Sequence, residues 1–257
     1  MLKLGGELLE DPTQLSQMAA LIARMAGTRQ LVIVHGGGRE VDTELARHGI
    51  EKRAVDGLRI TDDATLGVVV AVLAGRVNTR LVAAAASAGA LAVGLTGADA
   101  TMGLVEPAPP YETADGHRVE LGFVGRPIGN GRPQLLIELC AHGYVPVVAS
   151  IGIDQESQLF NVNADTLAAH LAVRLGAGWL VVAGTTPGVL DRTGQTIPRL
   201  DRRALDTLIA GGGASAGMIA KLVACREASR GGVHQVVIVD GRDVGRLETA
   251  TGTAIVA

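Results

Sequence analysis

Leu31-Val32-Ile33-Val34-His35-Gly36-Gly37-Gly38-Arg39-Glu40-Val41 is the stretch that decides the fold. Leu31–His35 is an almost unbroken apolar run with no polar alternation, the pattern of a strand covered on both faces. Three glycines stop the strand, and from Arg39 to Arg47 the apolar positions recur at helical spacing. A buried strand, a glycine turn and a helix in succession predict an α/β chain with a mainly parallel sheet.

The same alternation repeats outward in both directions. Ala90–Leu95, Tyr144–Ser150, Trp179–Ala183 and Gln235–Asp240 read as further strands, and a short first strand carries Lys3 at its end. Helical spacing covers Gln14–Met25, Asp63–Ala86, Pro133–His142, Ala164–Leu175, Arg202–Ala210 and Gly217–Ser229, several opening on Asp, Thr or Pro. Ala54–Thr61 and Met102–Pro127 break the rhythm with Gly and Pro and read as hairpins over a rim. No linker rich in Ser, Pro or Gly divides the 257 residues. Two lobes on one continuous sheet is the simplest organisation.

Bulk properties narrow the function. Lys and Arg total 23 against 26 Asp and Glu, so nothing favours nucleic acid or an anionic membrane, both of which call for a concentrated basic surface. The apolar run Leu66–Ala74, closed by Arg76 and Arg80, is shorter than the roughly 20 residues that span a bilayer and reads as a buried or interface helix. Cys140 and Cys225 read as buried thiols in a reducing compartment, and Gly5, Gly6 and Glu7 follow the start too closely for a secretory leader; the expectation is a cytoplasmic protein.

Glycines gather at Gly5-Gly6, at Gly36-Gly37-Gly38, at Gly184-Thr185-Thr186-Pro187-Gly188, and from Gly211-Gly212-Gly213 to Gly217. Such turns serve equally as plain strand-to-helix connections or as backbone cradles for an anion at a helix N-terminus. None matches the phosphate-loop or dinucleotide fingerprints. Lysine is more telling: it stands only at positions 3, 52 and 221 in a chain that otherwise uses Arg, and Lys3 and Lys221 adjoin glycine-rich segments. An ammonium on a flexible stem can follow a phosphoryl group as it moves. Asn161-Val162-Asn163-Ala164-Asp165 opens a helix; one of its residues suffices as a cap, which leaves side chains for a polar ligand. Arg59, in the Ala54–Thr61 hairpin, suits a carboxylate. His35 reads as a satisfied core residue, and no His, Cys or acidic cluster has metal-ligand spacing.

Taken in order, Lys3-Leu4-Gly5-Gly6, His35-Gly36-Gly37-Gly38, Gly57-Leu58-Arg59-Ile60-Thr61, Asn161-Val162-Asn163-Ala164-Asp165 and Gly217-Met218-Ile219-Ala220-Lys221 resemble the acetylglutamate kinases of the amino acid kinase family across nearly the whole chain. The resemblance implies an open three-layer αβα sandwich of about eight mainly parallel strands. Residues 1–172 would form an N-terminal lobe for the acyl amino acid and for dimerisation, and 173–257 a C-terminal lobe for ATP. It implies ATP-dependent phosphorylation of the γ-carboxylate of N-acetyl-L-glutamate, with Mg²⁺ held mainly by the nucleotide phosphates.

By the same resemblance Lys3 and Lys221 flank the transferring phosphoryl group and Asp165 orients both. Gly36 and Gly37 donate from the backbone, Arg59 binds the substrate α-carboxylate and Asn161 its skeleton, and Gly5, Gly6, Thr185 and Gly217 serve the nucleotide. Thr185 stands where the family has an aspartate, and it can hydrogen-bond without supplying the charge. A homodimer through the helix around Leu66–Ala74, insensitive to arginine, is expected, since the N-terminal helix of arginine-inhibited hexamers has no counterpart here. Two other readings share the pattern: a kinase for carrier-linked aminoadipate, and a regulatory binding protein of this fold that has lost turnover.

Overall fold

The computed structural model describes residues 1–113, 115–129, 133–211 and 216–256. Of the Gly211–Gly217 run, Gly212 and Gly213 lie outside the described residues.

Eight strands form the central sheet: β1 (Leu2–Leu4), β2 (Ile33–His35), β3 (Ala92–Thr96), β4 (Val145–Ala149), β5 (Trp179–Gly184), β6 (Arg199–Leu200), β7 (Gln235–Asp240) and β8 (Thr253–Ile255). Their order is β6-β8-β7-β5-β1-β2-β4-β3. All neighbours are parallel except β7 and β8. Six of these strands are legible from their apolar runs. The edge pieces β6 and β8 are two and three residues long, too short for periodicity to reveal.

Side chains alternate across the sheet, and two apolar cores result. Leu2 and Leu4 of β1, Ile33 of β2 and Val181 of β5 face one core, with helices α1 (Pro12–Ala26) and α3 (Asp63–Ser87) packed over it. Val34 of β2 and Val182 of β5 face the other, beneath α5 (Ala164–Arg174) and α7 (Ala216–Arg230). Lys3, between Leu2 and Leu4, therefore points to the α5 and α7 side. Helices α2 (Gly38–Arg47), α4 (Gln134–Ala141), α6 (Arg202–Ala210) and α8 (Val244–Thr249) complete the three layers.

Helix α3 departs from the expected regular helix. Ala71–Val77 winds as a π-helix between α-helical Asp63–Val70 and Asn78–Ser87. At 25 residues it is long and apolar enough to cross a bilayer, so the nine-residue run understated it. Here its apolar side packs on the sheet through Val69, Val72, Leu73, Val77 and Leu81. Cys225 is buried as expected, but Cys140 is only half-buried.

Parallel registration brings the carboxyl ends of the central strands level: Leu4 lies beside both His35 and Ala183, and His35 beside Ala149. In open α/β sheets ligands bind beyond these ends, where the chain leaves β1 for one side and β5 returns on the other.

Candidate active site

Lys3 leaves the middle of β1 and meets the first turn of α5. Its Nζ lies 2.8 Å from Asp165 Oδ1, and both groups are buried. The contact is an ion pair rather than a directed hydrogen bond, because Oδ1 receives none among the described residues. Asp165 is free for this because it does not cap α5. Asn163 does, its Oδ1 accepting from the backbone N–H groups of Asp165 (2.9 Å) and Thr166 (3.1 Å). Asn163 thus spends its Oδ1 on capping, while both it and Asn161 line the space beyond the helix start.

That space is a cavity of about 230 Å³ above the ends of β1, β2 and β4. Lys3, Gly5, Gly6, Gly36, Gly37, Arg59, Asn161 and Asp165, predicted from four separate stretches, all line it. Two glycine turns make the approach possible. A Cβ on Gly6 would stand 2.5 Å from Gly37 Cα, and one on Gly37 would strike Leu73 of α3 at 2.8 Å. Gly36 is not a free donor, since its N–H is taken by Leu4 O at 3.2 Å in the sheet. The N–H of Gly37, at the uncapped start of α2, finds no acceptor among the described residues. A helix start with free N–H groups favours an anion.

Arg59 comes from the hairpin Ala54–Val55/Leu58–Arg59, whose turn uses positive φ at Asp56 and Gly57. One terminal nitrogen, Nη2, is held by Asp42 and by Gly38 O at 3.2 Å. The other, Nη1, is buried with no partner among the described residues. Half the guanidinium is thus anchored and half presented, as a carboxylate site requires. Asn161 ends a strand, Leu159–Asn161, of a second hairpin with Ile151–Ile153 that the sequence reading left out; its Nδ2 donates to Thr61 Oγ1 at 3.1 Å.

Lys221 sits on α7 beyond the edge of this cavity. Its Nζ lies 2.9 Å from where a Cβ on Gly184 would be, so that glycine at the end of β5 leaves the ammonium its room. Among the described residues Lys221 has no ion pair within 4.0 Å, Asp165 included, so Asp165 engages Lys3 directly and Lys221 only through space. Burial first, and then the charge of Lys3, hold the Lys221 ammonium below the ordinary lysine value. Glu7, which the sequence reading passed over, lines the cavity, folds its carboxylate over Gly5 and adds a compensating negative charge near Lys221. An acidic residue directly after a glycine pair was the available signal.

Thr185 and Gly217 are exposed and line no part of the cavity. It is Thr186 whose hydroxyl is buried without a partner among the described residues. Among those residues no group of three or more His, Cys, Asp or Glu could hold a metal.

Residues 1–240 match the amino acid kinase family. The chain belongs to that family. It is 41% identical over 250 residues to the acetylglutamate kinase of Solibacter usitatus (strain Ellin6076), covering 96% of this chain and 93% of the relative. It is 39% identical to the acetylglutamate kinase of Anaeromyxobacter dehalogenans (strain 2CP-1 / ATCC BAA-258), covering 100% and 98%. Among solved structures, N-acetylglutamate synthase from Neisseria gonorrhoeae, complexed with coenzyme A and N-acetyl-glutamate, superposes with a TM-score of 0.82 at 26% identity, over 100% of this chain and 58% of that one.

Proposed function

We propose that this kinase transfers the γ-phosphoryl group of ATP to the γ-carboxylate of N-acetyl-L-glutamate, an early step of arginine biosynthesis. The observation that carries the reading is one cavity joining the buried Lys3–Asp165 pair to the half-presented guanidinium of Arg59 across two touching glycine turns. The names of the relatives at 39–41% identity supply the substrate.

The residues divide the work as the chemistry requires. A γ-carboxylate with an ordinary pKa of about 4.3 is already ionised at neutral pH, so no general base is needed. Arg59 Nη1 takes the α-carboxylate and Asn161 the substrate skeleton, which orients the γ-carboxylate towards Lys3. Charge in the loose transition state spreads over the equatorial phosphoryl oxygens. Lys3, held by Asp165, and the N–H of Gly37 stabilise it from the acceptor side, and Lys221 from the nucleotide side. Placing these donors in advance is the chain's main contribution to rate.

The nucleotide would lie over residues 173–257, with Gly5, Gly6 and Gly217 near its phosphates, and the acyl amino acid over 1–172. The donor set fits Mg²⁺ carried by nucleotide phosphates and water, because Asp165 is committed to Lys3 and Glu7 is the one further carboxylate on the cavity wall. Bound there, the ion would neutralise phosphate charge. A cytoplasmic homodimer through α3, insensitive to arginine, goes with this reading.

Trapping the acyl phosphate with hydroxylamine tests it, with ATP and Mg²⁺ and with acetylglutamate, glutamate, aspartate, aminoadipate and carbamate in parallel. Hydroxamate from acetylglutamate alone is expected. Hydroxamate from another acceptor in preference, or none from any while ATP still binds, overturns it.

A further inference from the structure

His35 is fully buried, ionisable and absent from the cavity wall, so the mechanism above leaves it unused. Its ring is nonetheless fixed at both nitrogens. Nδ1 is 3.1 Å from the carbonyl oxygen of Gly36, and Nε2 is 3.0 Å from Asn78 Nδ2. An amide NH₂ can only donate, so Nε2 accepts and the proton sits on Nδ1, which donates to Gly36 O. Burial agrees, holding the imidazole down at about 4 and therefore neutral.

Asn78 is itself held on the sheet, donating to Val147 O at 2.8 Å. It is the first residue after the π-helical turn Ala71–Val77. Gly94 clears room for it, because a side chain there would collide with Asn78 Oδ1. Isolated π-turns inside α-helices recur at functional sites; this one carries the Leu73 and Val77 side chains that close over Gly37 and runs directly into Asn78.

We infer that His35, held by Asn78, is a positioning residue that pins the Gly36–Gly37 peptide so that the Gly37 N–H faces the transferring phosphoryl group. No cis peptide occurs in the described chain, and in a trans peptide the N–H points opposite to the C=O. Drawing Gly36 O into the core therefore turns the Gly37 N–H out towards the cavity that Gly37 lines. Between two glycines this peptide has little of its own to prevent a flip. A flip would replace a donor by a carbonyl oxygen facing anionic oxygens.

The inference rests on the phosphotransferase reading, and two substitutions of similar size separate the effects. In His35→Asn the amide nitrogen lies near the position of Nδ1 and can still donate to Gly36 O. In His35→Gln it reaches the position of Nε2 instead. His35→Gln is expected to lower kcat for acetylglutamate phosphorylation by about 100-fold, the scale of losing one preorganised donor, with KM within about threefold. His35→Asn should recover kcat to within about tenfold of wild type. Asn78→Leu, on another element, should also lower kcat with little change in KM, and it carries the test if His35→Gln does not fold.

Equal losses in His35→Asn and His35→Gln, or no loss in either, would overturn the inference. An NMR arm stands apart from turnover: the Gly37 amide resonance should shift on addition of ATP with Mg²⁺ in wild type and His35→Asn, and not in His35→Gln. Should wild type form no acyl phosphate at all, the proposed function fails, while this amide response still decides the positioning role.

Discussion

Asp165→Asn keeps the shape of the side chain and removes its charge, leaving the cap of α5 intact because Asn163 bonds to the backbone N–H groups of Asp165 and Thr166 and not to the Asp165 side chain. Lys3 would then be a buried ammonium without its partner, beside a second ammonium on Lys221. Removing one member of a buried pair costs about 3–5 kcal/mol. For a chain of this length the melting temperature should fall by roughly 6–20 °C. Thermal melts followed by circular dichroism at pH 7 check this. Bound ATP should narrow the deficit by supplying negative charge. A drop under about 2 °C would refute the idea that the pair is buried and ionic.

Lys221→Met should abolish turnover yet stabilise the fold, on the order of 0.5–2 kcal/mol, and so raise the melting temperature slightly, because the folded state no longer confines a charge it holds below its ordinary pKa; a lower melting temperature counts against this. The cost of that ammonium is fully present below its folded pKa and fades as pH rises towards the unfolded value, since between the two the unfolded chain binds the extra proton. Arg59→Ala removes the presented Nη1 and should raise KM for acetylglutamate roughly tenfold to 150-fold with a smaller change in kcat, as measured by initial rates; the reverse split contradicts its role. For His35, held at about 4 when folded against 6.5 unfolded, the stabilising contribution is complete above pH 6.5 and is lost as pH falls towards 4. Denaturant titrations across that range should show about 3 kcal/mol lost to this group in wild type, and a shallower slope in His35→Asn.

Much of the site was legible because its parts are local patterns. The Gly36–Gly38 turn follows a buried strand, Lys3 and Lys221 stand out in a chain that otherwise uses Arg, and Asn161–Asp165 is a polar cluster at a helix start. Glu7 escaped because its place directly after a glycine pair is a weak signal that does not by itself separate a cavity carboxylate from a solvated one. Thr185, singled out because it stands where the family has an aspartate, is exposed, and next to it the Thr186 hydroxyl is buried, a difference that adjacent threonines do not reveal in sequence. Which asparagine caps the helix was not legible, because capping depends on backbone angles, and those single out Asn163.

Apolar periodicity, glycine turns and the placing of a few cations were enough to determine the layered α/β fold and the residue types at its active end, since each is a consequence of spacing along one strand or helix. Which groups face one another depends on parallel registration and on where helices cross, and spacing carries no such information. Only the tertiary structure gave Lys3 to Asp165 and left Lys221 without an ion pair among the described residues, spent the Gly36 N–H in the sheet, and half-anchored Arg59 through Asp42. The His35–Asn78 contact belongs to the same class: 43 residues separate the two, and they meet only because α3 crosses the end of β2.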